Sequence, residues 1–162
     1  MEWIVVIRFD RDGYCFNYRV AAVAIHDQRI LLHRADYDSF WTLPGGRAEL
    51  GESAEDTIRR EMREEISTDV NVRRLLWLVE NFFEYDGLKY HEVALYFLTD
   101  FPAESRPLTQ STFESRDGET RLTFQWFPIE RDALAALPLV PSFLPAGLQD
   151  LPASVTHVVH RD

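Results

Sequence analysis

Glu61, Glu64 and Glu65 stand at i, i+3 and i+4 within Arg60-Glu61-Met62-Arg63-Glu64-Glu65, and a fourth acid, Glu52, precedes Arg60. On an α-helix these offsets bring the three carboxylates onto one side, within about a quarter of the circumference. Like charges so placed repel by roughly a few tenths of a kcal/mol per pair even when exposed. A cation among them removes that repulsion, and a hard divalent ion with oxygen ligands is the natural occupant. The acidic stretch is entered from a glycine loop, Pro44-Gly45-Gly46, where the backbone itself can come close to a ligand.

The spacing resembles the Nudix box: a glycine, five residues, a glutamate, seven residues, then Arg-Glu-aliphatic-x-Glu-Glu-x-Gly-aliphatic. Gly46, Glu52, Arg60, Glu61, Met62, Glu64 and Glu65 match it in register, while Ser67 and Thr68 replace its last glycine and hydrophobe. The lead-in Trp41-Thr42-Leu43-Pro44-Gly45-Gly46 is also similar to the family's. The resemblance implies an α/β (α+β) Nudix fold, a mixed β-sheet sandwiched between α-helices with a loop-helix-loop catalytic motif. It further implies hydrolysis of a nucleoside diphosphate linked to a moiety X, by attack of water on phosphorus, with Mg²⁺ or Mn²⁺ as cofactor.

Carried over residue by residue, the metal ligands are Glu61, Glu64 and Glu65, assisted by Glu52 and by the Gly46 carbonyl. Glu61 or Glu64 could instead be the catalytic base. Arg60 is expected to hold a glutamate by a charge-assisted hydrogen bond. A further carboxylate from a later segment is sought among Glu80, Glu92, Glu114 and Glu119, with Glu119 taken as substrate-binding and Glu92 more readily read as an outward-facing strand residue. Arg34, at the end of a strand, is placed to meet a phosphate bidentately or to form a surface ion pair. Phe40 and Trp41 flank the glycine loop and could stack on a base or pack in the core. A Nudix-fold sensor that binds a nucleotide without turnover is the alternative; such modules usually lose box glutamates, and all four are present here.

The elements that must position these groups follow from pattern. Trp3–Phe9 is predicted as a strand closed by a turn at 10–13, with further strands at Tyr18–Ile25 and Ile30–His33. Residues 36–51 read as a long loop. Ser53 and Asp56 form a capping box for a helix whose apolar stripe is Ile58, Met62 and Ile66. The helix should end near Ile66, with Ser67 a poorer left-handed cap than glycine by ~1 kcal/mol. Two long strands, 70–85 and 88–99, are joined by the hairpin dipeptide Asp86-Gly87. Residues 101–118 read as irregular, 122–127 as a strand, 129–137 as a helix, 141–149 as a short helix, and 153–160 as a last strand.

The length of 162 residues predicts a single domain, 1–162, able to bury a core; the chain is 46% hydrophobic and 13% aromatic. A net charge of −10 argues against wrapping an extended nucleic acid but not against a small nucleotide, because metal ions would invert the local field. No apolar run reaches the ~18 residues of a membrane span, and no secretory signal is evident, so a cytoplasmic location is expected. Cys15 is the single cysteine and can form no internal disulfide. Self-association as a homodimer is left open.

Overall fold

A computed structural model describes residues 4–162. The start of the predicted first strand, at Trp3, lies outside the described residues. Strands β1 (Arg8–Arg11), β2 (Tyr14–His26) and β3 (Arg29–Ala35) lead to a short β4 (Gly45–Arg47) and helix α1 (Ala54–Ile66). Then come β5 (Asn71–Tyr85), β6 (Leu88–Asp100), α2 (Arg106–Thr109), β7 (Thr112–Asp117) and β8 (Thr120–Pro128). Two short helices, α3 (Arg131–Ala135) and α4 (Leu144–Gly147), precede β9 (Thr156–Arg161).

The strands form one mixed sheet in the order β7-β8-β3-β2-β6-β5-β9, with β1 and β4 also pairing β2. β2 and β6 run parallel, as do β5 and β9. Its two faces carry separate cores. Ile58, Met62 and Ile66 of α1 pack on Val20, Ala22, Leu31 and Phe97, while Leu134, Leu144 and Leu148 of the α3–α4 region pack with Ala21, Val23, Leu32 and Tyr96 on the other face. The alternation along β2 explains the division, because successive side chains of a strand point to opposite faces. The sheet is therefore covered by helices on both sides, as the motif implied.

β2 and β3 pair only at their hairpin end, Ile25 with Ile30 and His26 with Arg29. Beyond that they part, and β4 takes β3's place, setting Val20 opposite Gly46 and Ala21 opposite Gly45. Only glycine fits at 45: a Cβ there would stand 2.1 Å from the Val20 carbonyl oxygen. This close approach threads the glycine loop into the sheet beside α1.

Several boundaries differ from expectation. Asp10 and Arg11 belong to β1, and the turn is confined to Asp12-Gly13, both at positive φ. The predicted irregular segment 101–118 contains α2 and the edge strand β7, which gains its order by pairing with β8. The loop 36–51 holds β4, and the helix expected at 129–137 shortens to five residues.

Candidate active site

Helix α1 is built as its sequence requires. Ser53 caps its N-terminus by accepting a hydrogen bond from the Asp56 backbone N–H at 3.2 Å. At the other end Ser67 adopts the left-handed conformation, φ 53°, and its N–H donates to the Arg63 carbonyl. The apolar stripe pulls the helix onto the sheet and sets the acidic stripe along the glycine loop.

Arg60 is the hub of that acidic face. Its Nε donates to Glu52 at 2.7 Å, one terminal nitrogen donates to Glu61 at 2.8 Å and Glu64 at 3.2 Å, and the other donates to Glu52 and to the Arg47 carbonyl, each at 3.0 Å. Glu49 adds an ion pair at 3.3 Å. Thr57, buried on the first turn, donates a further hydrogen bond to Glu52. These bonds hold the Glu52 carboxyl below its ordinary range, Arg60 contributing most.

The inner carboxyls behave in the opposite way. Glu61 is raised, chiefly by burial. Glu65, only 6% exposed, is raised well above the usual carboxylate range, first by burial and then by the charge of Glu61. Its Oε2 is buried without a hydrogen-bond partner. His33 Nδ1 lies 3.9 Å from that oxygen and is likewise unpartnered. Burial, and next the charge of Arg19, push the His33 imidazole down to about 3, so it is neutral at physiological pH. Glu64 is the outermost of the three, its side chain 57% exposed.

Gly46 closes the arrangement. A Cβ at this position would lie 2.2 Å from the Glu61 carboxyl, so the glycine backbone and the carboxyl occupy one another's only room. The glycine loop and Glu61 thus meet in one place, and the charge of Glu61 bears on Glu65. Among the described residues, however, no three His, Cys, Asp or Glu side chains already converge at metal-binding distance, because Arg60 draws Glu52, Glu61 and Glu64 to itself.

The outlying candidates are dispersed. Arg34 lays its guanidinium over the Trp41 ring, 4.8 Å from the centroid. Trp41 is 7% exposed and packs edge-on against Phe127, so it is a core residue and not an open stacking surface. Phe40 is half-buried, edge-on to Tyr85, whose hydroxyl donates to Asp38 at 2.8 Å. Glu119 is exposed on the β7–β8 turn, Glu114 is exposed on β7, and Glu80 bonds His157 at 2.8 Å. Glu92 corrects the outward-facing reading: it is buried and accepts a hydrogen bond from Asn17 Nδ2 at 2.9 Å.

Sequence reasoning missed Arg19, His33 and Asp117. Asp117, at the end of β7, is the hairpin acid whose charge bears on Glu65. The Ser115 hydroxyl of the same strand donates to the Glu65 carbonyl, tying β7 to α1. The signal was a strand hidden in a stretch rich in Ser and Thr. Arg19, whose guanidinium donates to the Leu43 carbonyl at 2.9 Å, lies within a long strand where nothing local marks it.

A mixed sheet with an acidic helix locked against a glycine loop is the loop-helix-loop architecture of the Nudix class. The model of the NUDIX domain matches residues 16–142, and the chain belongs to that family. The Bacillus subtilis (strain 168) protein YvcI, a Nudix hydrolase that is itself uncharacterized, is 31% identical over 115 residues, covering 71% of this chain and 66% of its own. YjhB of the same organism, provisionally named an ADP-ribose pyrophosphatase, is 34% identical over 62 residues, 38% of this chain and 30% of YjhB. The match therefore spans less than two thirds of either relative. Among solved structures, the MutT NUDIX hydrolase from Burkholderia pseudomallei is 26% identical with a TM-score of 0.56, covering 83% of this chain and 96% of that one.

Proposed function

We propose that this chain is a hydrolase of small nucleotide derivatives, cleaving a pyrophosphate bond by attack of water on phosphorus with the help of Mg²⁺ or Mn²⁺. The observation that carries the reading is the unpartnered, buried Oε2 of Glu65, on which the charge of Glu61 bears, while the Glu61 carboxyl itself meets the Gly46 backbone. A buried acceptor without a donor is costly, and a hard cation is the partner that its chemistry suits. The donor set therefore fits a divalent ion held by Glu61 and Glu65, with Glu64, Glu52 and the Gly46 carbonyl contributing.

When bound, such an ion activates water and neutralises phosphate oxygens. The protein's own part is placement. Arg60 fixes Glu52 and Glu61 by a forked set of charge-assisted hydrogen bonds, and the turn of α1 aligns Glu61 with Glu65. Glu64, exposed at the rim, is the carboxylate best placed to exchange a proton with solvent or attacking water. The names of the relatives, an ADP-ribose pyrophosphatase and MutT-type hydrolases, support a nucleotide-derived substrate. The continuous sheet and the extent of the family match support reading 1–162 as a single domain. Among the described residues no helix is long and apolar enough to cross a membrane, and a cytoplasmic location remains part of the proposal.

The test is phosphate and nucleotide release from nucleoside triphosphates, dinucleoside polyphosphates and nucleotide sugars. It is run with Mg²⁺, with Mn²⁺ and with chelator, using Glu65→Gln as control. Metal-dependent cleavage of one class, lost in the variant, is the expected result. Metal-stimulated binding without turnover across the panel would replace the hydrolase with a sensor.

A further inference from the structure

On the sheet face opposite α1, three adjacent strands place a polar residue in the same row: Asn17 of β2 pairs with Glu92 of β6, which pairs with Asn81 of β5. All three are buried, at 2%, 6% and 5% exposure. The rows on either side do not satisfy them. Toward the core the next row is Arg19, Ala94 and Val79, and outward it is Cys15, Tyr90 and Phe83. The hydrogen bond found within the row is Asn17 Nδ2 to Glu92 Oε2, 2.9 Å. The Asn17 and Asn81 amide oxygens are buried without a partner.

The Asn17 amide nitrogen donates to Glu92 Oε2, which leaves the amide oxygen free. The row therefore holds two amide oxygens to which no donor is bonded. Each buried acceptor left unpaired destabilises the fold, and two such oxygens flanking Glu92 in register are not what packing alone selects. Just outward, Phe83 and Tyr90 stack with centroids 4.8 Å apart and an interplanar angle of 11°. They line an open cavity of about 310 Å³ together with Tyr14, Phe82, the cations Lys89 and Arg161 and the acids Glu84 and Asp162. The cavity thus has aromatic walls and side chains of both charges, and the polar row lies one row inward of Phe83 and Tyr90.

We propose that the Asn17–Glu92–Asn81 row is a substrate-recognition site that receives a ligand group bearing two adjacent hydrogen-bond donors, entering past the Phe83–Tyr90 pair. The inference rests on the reading of the chain as acting on nucleotide derivatives, and it names the group by which one is chosen. Two parts of a nucleotide carry such paired donors: the imino–amino edge of a guanine-type base and the vicinal hydroxyls of ribose. Adenine's edge offers an acceptor where the row needs a donor, and a dideoxy sugar offers nothing.

The test is binding to the metal-free protein by titration calorimetry, with GMP, AMP and the 2′,3′-dideoxy form of each as probes. A base-edge contact makes both guanine nucleotides bind about tenfold tighter than their adenine counterparts. A diol contact makes both ribonucleotides bind tighter than their dideoxy forms by a similar factor. Either preference should collapse to within about twofold in Glu92→Gln and in Asn81→Leu, since both remove an acceptor. Equal binding of all four probes, absent binding included, overturns the proposal, and so does a preference that survives in both folded variants. Because no metal is present, the result is independent of turnover. Preference without hydrolysis would sink the hydrolase reading alone, and hydrolysis without preference would sink the recognition row alone.

Discussion

The Gly46 backbone and the Glu61 carboxyl share one space, with a Cβ on the glycine falling 2.2 Å from the carboxyl carbon and from one of its oxygens. Gly46→Ala should therefore displace Glu61 while leaving the fold nearly intact, because the obstructed atoms are the end of a flexible side chain. Turnover should fall by about 10²-fold with little change in Tm, as a displacement of about an ångström suffices for such a loss. Gly45→Ala is the contrast. Its Cβ would meet the Val20 carbonyl oxygen at 2.1 Å, backbone against backbone, and the strand pairing must give way. Thermal melts should show Gly45→Ala destabilised well beyond Gly46→Ala. Equal melting temperatures would contradict the geometry.

Glu65 and Glu52 should respond to pH with opposite signs. Arg60 holds Glu52 below its ordinary range, so its stabilisation is present above the unfolded value of about 4.3 and is lost as pH falls through the lower folded value. Burial raises Glu65, so its contribution is fully present below about 4.3 and is lost as pH rises through the higher folded value. At neutral pH the metal-free protein is consequently destabilised by the burial of Glu65. Glu65→Gln should raise the neutral Tm by about 2–4 °C for each kcal/mol relieved, and the gain should shrink toward pH 4. The same variant should lose about 10²-fold or more in turnover and most of the Tm increase that Mg²⁺ confers on the wild type. A neutral Tm below wild type would sink the assignment of Glu65 as a buried, unpartnered acid.

Arg60 acts through geometry as well as charge. Its fork reaches Glu52, Glu61, Glu64 and the Arg47 carbonyl at once, which a lysine ammonium, a point charge on a shorter and unforked stem, does not reproduce. Arg60→Lys should weaken the Mg²⁺ dependence of turnover by about 10- to 100-fold, as is usual when the support of a metal ligand is removed. A magnesium titration of activity and of Tm checks both. An unchanged titration would mean that Arg60 serves only to neutralise.

Ser67 holds the left-handed conformation, φ 53°, at the end of α1. A residue with a Cβ is strained there, so Ser67→Gly should stabilise by about 0.5–1 kcal/mol without altering turnover. Denaturant midpoints measure it. A lower midpoint would show that the serine hydroxyl contributes more than its backbone costs.

The glycine loop, the capped helix and the four glutamates were legible because they depend on spacing along one segment. A helix converts offsets of three and four into adjacency, so Glu61, Glu64 and Glu65 could be placed on one side from the sequence alone. The Ser67 cap was readable for the same reason. The hairpin at Asp86-Gly87 also needed only local turn chemistry.

What lies across strands was decided by tertiary structure. Asp117 bears on Glu65 because β7 pairs with β8 and the Ser115 hydroxyl of the same strand bonds α1, and neither fact is written in the Ser- and Thr-rich segment that contains it. Glu92 reads as an ordinary strand acid until the register sets it between Asn17 and Asn81. Trp41 and Arg34 took up one another in place of a ligand. Sequence determines which groups a helix will align; it does not determine the register of strands dozens of residues apart, because that register is fixed by which faces of the sheet the whole chain can bury.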